Sequence, residues 1–185
     1  MNPVIIEEYD ARWPGEFQII RGRVAAVLKE KAAAIEHIGS TAVPGLAAKP
    51  IIDIDVLLKS KGDLPLAIAA LATIGYTHRG DLGITGREAF RAPRDTFAHH
   101  LYVCPSEEGE FRRHIAFRDC LRTHPHAASE YAKLKRELAS RFASDREAYN
   151  NAKSAFVGKL LVRAAAENRA RFRSWRMRNK IAGFD

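Results

Sequence analysis

The segment "PIIDIDVLL", residues 50–58, limits what this chain can fold into more than any other. Its length and β-branched content make it a strand. Side chains alternate between the faces of a strand, so Ile52, Ile54, Val56 and Leu58 share one face and enter a core. Asp53 and Asp55 then share the other face. Two like charges so placed raise each other's pKa and repel. A divalent cation between them removes the conflict, because magnesium takes hard oxygen ligands and keeps waters and substrate phosphates in its shell. The bland alternative is a solvated sheet face that carries two acids, and for an isolated Asp-x-Asp it is the commoner one.

The turn upstream tips the balance. "EHIGSTAVPGLAAKP" ends a short strand, "AIEHI", in Gly39-Ser40-Thr41. Gly39 permits a tight turn with close backbone approach. Ser40 offers a hydroxyl, and the N–H groups after it, Thr41 included, can point at phosphate oxygens. Lys49 adds a positive charge just before the aspartate strand. The spacing from Gly39 to Gly45 to Lys49 does not fit G-x-x-x-x-G-K-[ST], which disfavours a P-loop kinase or ATPase.

The rest of the chain supplies the frame. Pro14 suits the first turn of a helix carrying Trp13, Phe17, Ile20, Val24 and Leu28 at helical spacing. Asp63 is expected to cap a second helix whose buried stripe is Leu66, Ala70, Leu71 and Ile74. Short strands are expected over residues 76–79, 88–92 and 99–104. Beyond Pro105 the pattern turns helical, with helices from near Arg112, after Pro125 (Tyr131, Leu134, Leu138, Phe142) and from near Ser154 (Phe156, Leu160, Leu161, Ala164). The pattern reads as an α/β half followed by a helical half that share one core, in one domain over 1–185. Its α/β part covers 1–105 and its helical part 106–185. With 46% hydrophobic residues the chain can fill a core. The acidic start is not a signal peptide and no apolar run is long enough to span a membrane. Two cysteines, Cys104 and Cys120, are too few for a disulfide framework, so a cytoplasmic setting with packing thiols is expected. A net charge of +8 favours an anionic partner without choosing one.

Gly-Ser, a spacer, then Asp-x-Asp on the next strand resembles the signature of the nucleotidyltransferase superfamily, the fold of polymerase β. The likeness is closer to one branch, the GrpB family. "EHIGSTAVPGLAAKPIIDIDV", "GYTHRGDLGITGREAF", "HHLYVC", "RRHIAFRDCLRTHP" and "YAKLKRELASRFASDREAY" all resemble that family's blocks in order. The resemblance implies the α+β class, a nucleotidyltransferase-like mixed sheet flanked by helices with a C-terminal helical half, and a metal-dependent transfer of a nucleoside monophosphate from a nucleoside triphosphate to a small-molecule acceptor. Magnesium or manganese would be held by Asp53 and Asp55. Gly39, Ser40, Thr41 and Lys49 would cradle the triphosphate.

Enzymes of that superfamily usually carry a third acid on a later strand. The equivalent strand here, "AHHLYVC", has none. The resemblance places His100 where the family has its own histidine. By alternation His100 and Tyr102 share a face. A neutral imidazole can take a proton near pH 7 or ligate a metal, though it suits magnesium less than a carboxylate does. His100 is therefore read as a base, a ligand or a substrate contact, with a hydrogen-bonded core histidine as the alternative. For His99 the core reading wins.

"RRHIAFRDCLR" puts His114, Arg118 and Arg122 on one helical face. Arg118 and Arg122 are candidates for phosphate, His114 for the acceptor, against a plain solvated or acid-paired face. Lys153, in the block resembling the family's Tyr-x-x-x-Lys-x-x-Phe, is a further nucleotide candidate. Arg87 and Tyr102 are candidates for acceptor contact. The basic end "RARFRSWRMRNK" interleaves Phe172, Trp175 and Met177 with arginines. That composition suits RNA, but a docked helix with wet arginines is commoner, so nucleic acid is not favoured. A rival to catalysis is a non-catalytic module of the same fold that binds a nucleotide or a CoA-related ligand. Either Asp53→Asn or Asp55→Asn is expected to leave the unliganded protein no less stable, because repulsion is relieved.

Overall fold

The computed structural model describes residues 4–105 and 109–181, with side chains at all of these positions except 146 and 168–181. The order of elements is α1 (Trp13–Leu28), β1 (Ala32–Ile38), β2 (Ile52–Leu58), α2 (Leu64–Ala72), β3 (Thr77–His78), β4 (Glu88–Arg91), β5 (His99–Cys104), α3 (Glu110–Thr123), α4 (Pro125–Arg141) and α5 (Arg146–Ile181). The strands form one mixed sheet in the order β1-β2-β5-β4-β3. Only β2 and β5 run parallel; the other neighbours are antiparallel. The class is α+β, a five-stranded mixed sheet flanked by helices.

One sheet face carries Ile52, Ile54, Val56, Leu58, Leu101 and Val103. It packs on Trp13, Phe17, Ile20, Val24 and Leu28 of α1 and on Ala67 and Leu71 of α2. The α1 residues recur three and four apart, which is why that helix presents a single apolar stripe. A second core joins Val43, Leu46 and Ala47, in the loop before β2, to α3, α4 and α5. That loop is thus pinned between the sheet and the helical half. Among the described residues no helix is long and apolar enough to cross a membrane.

Local details depart from the sequence pattern. Asp63 does not cap α2 with its side chain; its backbone is helical, and a 3₁₀ turn at Lys61–Asp63, capped by the Ser60 hydroxyl, leads into the helix. The buried positions of α2 are Ala67 and Leu71, while Leu66 is exposed, because this short helix touches the sheet along one narrow line. The last helix begins at Arg146 rather than near Ser154. There the Asp145 carboxylate accepts the Ala148 N–H and caps the first turn. Phe172, Trp175 and Met177 have side chains outside the described residues.

Candidate active site

The face of the sheet opposite α1 and α2 carries the two aspartates, and the structure treats them unequally. Parallel pairing sets Asp53 beside His100 and Asp55 beside Tyr102. The His100 Nδ1–H donates to Asp53 Oδ1 at 2.8 Å, and this pair is partly open to solvent. Asp55 is fully buried beneath α3, where the His114 Nδ1–H donates to its Oδ2 at 2.8 Å. Its other oxygen, Oδ1, is buried with no hydrogen-bond partner, as is Arg87 Nε. Burial pushes the Asp55 carboxyl up; the His114 contact pulls it back, and Asp53 adds to the rise. Tyr102 lies between the two histidine rings, 6.3 Å from each, and the Arg87 guanidinium stacks over it at 4.2 Å.

Gly39 brings the turn onto the aspartate strand. Its φ is +69°, and a Cβ there would lie 2.4 Å from Asp53 Oδ2. Both facts require glycine, one through backbone strain and one through overlap. Gly39→Ala is therefore expected to displace the Asp53 carboxylate and to cost about 1–3 kcal/mol of stability in urea denaturation. An unchanged midpoint would mean that the turn adapts freely.

Asp53 and His100 line a basin of about 500 Å³ with Ser40, Thr41, Lys49, Tyr102, Lys135 and Lys153. Its cations are Lys49, Arg79, Arg91, Lys135 and Lys153, and Asp53 is its one carboxylate among the described residues. The Lys49 and Lys153 ammonium groups both lie over the Tyr149 ring, at 4.1 and 4.4 Å. Lys135 lies 4.7 Å from the centre of the Tyr131 ring, and its Nζ donates to the Ala47 carbonyl. Lys135 is almost wholly buried, and burial brings its ammonium down to about 7, helped by Lys153 and Arg136. In the unfolded chain it titrates near its ordinary 10.5. Between these values the unfolded state binds more protons, so this residue's contribution to stability rises with pH from about 7 and levels off above 10.5. Below about 7 both states are charged and the burial penalty is fully present. Wild type is thus expected to gain on Lys135→Met by at least about 1 kcal/mol between pH 7 and pH 9.5. A pH-independent difference in urea midpoints would refute this.

The arginine stripe of α3 faces inward, not toward the basin. Arg118 is buried, with its guanidinium donating to Glu36 Oε2 (2.7 Å), the His37 carbonyl (3.0 Å) and Asp119 Oδ1 (2.8 Å). Arg122 donates through Nε and a terminal nitrogen to the Ala42 carbonyl, at 2.9 and 2.7 Å. With His114 on Asp55, the face clamps α3 onto the sheet and braces the Gly39 turn from behind. Arg118 and Arg122 do not line the basin, so their expected phosphate contact is replaced by a bracing role. The carbonyls of the buried residues His37 and Ala42, which flank the Gly39 turn, take these donors, as a carbonyl withdrawn from water must find a partner. Thr41 does border the basin, but its buried hydroxyl bonds His37 Nε2 at 2.9 Å and reaches the Ile51 carbonyl. Burial holds the His37 imidazole neutral, down to about 4. His99 is a core residue: Nδ1–H donates to the Phe97 carbonyl and Nε2 accepts from the Tyr76 hydroxyl. Cys104 and Cys120 are buried free thiols, and burial raises both.

Sequence reasoning missed Lys135, Tyr149, Arg79 and Arg91. A signal existed for the first: Lys135 sits four residues after Tyr131 and three before Leu138, on a buried stripe where lysine is out of place. No pattern marked the two arginines, because β3 and β4 are too short to show a period.

A family model described as GrpB protein matches residues 3–163. The chain belongs to the GrpB family. A UPF0157 protein of Pseudomonas aeruginosa is 39% identical over 164 residues, covering 86% of this chain and 67% of that protein. The glutamate-rich protein GrpB of Alkalihalophilus pseudofirmus is 33% identical, covering 85% and 94%. The crystal structure of the conserved protein GrpB from Enterococcus faecalis is 34% identical and superposes with a TM-score of 0.80, covering 89% of this chain and 99% of that one. Other relatives are longer. This GrpB-family chain spans 48% of the UPF0157 protein YqkA of Bacillus subtilis and 42% of a dephospho-CoA kinase of Mycolicibacterium paratuberculosis, the latter at 26% identity.

Proposed function

We propose that the basin binds the phosphates of a nucleoside triphosphate and that the chain transfers the nucleoside monophosphate to a second substrate. The observation that carries this reading is the composition of the basin: a wall of lysines facing a single carboxylate that is hydrogen-bonded to a histidine. Lys49, Lys135 and Lys153 supply positive charge to the phosphate chain, and Ser40 lies on the turn beside it. A ring that gives its Nδ1–H to Asp53 can accept a proton only at Nε2. From there His100 takes the proton of the acceptor hydroxyl as that oxygen bonds the α-phosphorus and the bond to pyrophosphate breaks. Asp53 fixes the ring for that task.

A divalent cation fits this donor set in one respect that the structure supports. Asp55 Oδ1 is a buried oxygen with nothing to satisfy it, on the same face as Asp53. Asp53 and Asp55 are the residues that would hold it, with phosphate oxygens and water completing the shell. Among the described residues no cluster of three or more His, Cys, Asp or Glu side chains surrounds one point. When bound, magnesium or manganese would neutralise the developing charge on the phosphates.

A second reading is a ligand-binding module without turnover. It is favoured by the complete burial of Asp55 under His114. The dephospho-CoA kinase relative makes a CoA-related ligand the natural alternative occupant. A thermal-shift series with ATP, UTP, pyrophosphate and dephospho-CoA, with and without magnesium or manganese, tests binding, since a ligand of the native state raises its melting temperature. Pyrophosphate release in the presence of mixed acceptors separates the two readings. Metal-dependent shifts with release support transfer; shifts without release support the module. No shift with any nucleotide or phosphate refutes both.

A further inference from the structure

The cations of the basin come from two different parts of the fold. Lys135 and Lys153 belong to the helical half, and Lys49 joins Lys153 over the Tyr149 ring. Arg79 and Arg91 belong to the far edge of the sheet. Arg91 ends β4, and Arg79 continues β3 with its N–H on the Ala89 carbonyl. In the strand order β2-β5-β4-β3, Asp53 and His100 stand on the two strands before that edge. Both arginines are exposed, and among the described residues neither is paired with a carboxylate. Arg91 has a distant contact of 3.4 Å with the Thr77 hydroxyl. Between them the wall is apolar: Ala89, which shares a sheet face with Tyr102, and Leu82, whose backbone φ is +50°.

The three lysines already answer a triphosphate, so the arginine edge is surplus to it. A solvated edge strand would also carry charge to deter pairing with another chain. That purpose does not call for both guanidinium groups to border the same concavity as Asp53 and His100. Arginine grips phosphate through two parallel N–H donors, and two such groups match a dianion better than a singly charged carboxylate. A basin of about 500 Å³ is of small-molecule size.

We infer that the acceptor is itself anionic, a small phosphomonoester held by Arg79 and Arg91 with its hydroxyl directed to His100. This rests on the transfer reading above. The phosphomonoester is bound by charge and forks, its carbon skeleton lies on Ala89, and the lysines keep the nucleotide.

Titration calorimetry on the full chain tests this. The probes are glycerol 3-phosphate and ribose 5-phosphate, their neutral parents glycerol and ribose, glycerate, and a single-stranded RNA oligomer, each with saturating ATP and magnesium. At least one phosphomonoester should bind and its neutral parent should not. Arg79→Ala with Arg91→Ala should weaken that phosphomonoester by about tenfold or more and leave ATP affinity within about twofold. Lys153→Ala should do the reverse. Because both arginines are exposed, melting temperature serves as the check that the double variant stays folded. The proposal is overturned if neither phosphomonoester binds, if parents or glycerate bind as tightly, if RNA binds more tightly, or if the double variant loses ATP as much as phosphomonoester. Should ATP itself not bind, the nucleotide reading fails, and the same titrations without ATP still decide the arginine edge.

Discussion

Asp53→Asn is expected to lower metal-dependent nucleotide affinity by about tenfold or more and to reduce turnover by about a hundredfold or more, with no loss of stability. Asp53 is the basin's one carboxylate among the described residues and is partly open to solvent. An amide oxygen can still accept the His100 Nδ1–H, so the histidine keeps its orientation while the charge is lost. The change also relieves repulsion toward Asp55. Calorimetry of MgATP binding, pyrophosphate release and urea denaturation measure the three parts. Full activity in a folded Asp53→Asn protein would remove the metal from the proposed mechanism.

His114→Ala is expected to destabilise the protein by about 3 kcal/mol or more, because it leaves a fully buried carboxylate without its partner. The cost should depend on pH in a defined sense. The folded-state pKa of Asp55 lies above its ordinary 3.8, so the native state binds more protons just above that value and stability falls as pH rises through the window. Removing His114 removes a lowering influence, so the window widens upward. Below the ordinary carboxylate value both states are protonated and the variant should come close to wild type. Adding Asp55→Asn to His114→Ala should recover most of the loss at neutral pH. Urea midpoints at several pH values check this, and a pH-independent loss with no recovery would mean that His114 acts by packing alone.

The aspartate strand shows how far residue patterns carry. Alternation placed Ile52, Ile54 and Val56 in the core and put both acids on the other face, and both placements hold. It could not say that α3 would cover Asp55 and leave Asp53 open, since that depends on where a helix some sixty residues later comes to rest. The same limit explains the arginine stripe. Helical spacing correctly put His114, Arg118 and Arg122 on one face, but spacing is silent on what the face meets. Alternation put His100 on one face with Tyr102 and the family resemblance singled it out, but the register that sets it beside Asp53 is decided by the pairing of β2 with β5.

The sequence by itself determined an α/β part followed by a helical part, the buried faces of α1 and of the aspartate strand, and the turn at Gly39, because each follows from local stereochemistry: period and φ preference. Only the tertiary structure decided which carboxylate is accessible, which arginines are structural, and that Lys135 stands buried beside Tyr131 in a basic basin. Those outcomes are set by long-range packing, where burial changes what a charge costs and which partner it must find, and no local pattern encodes that distance.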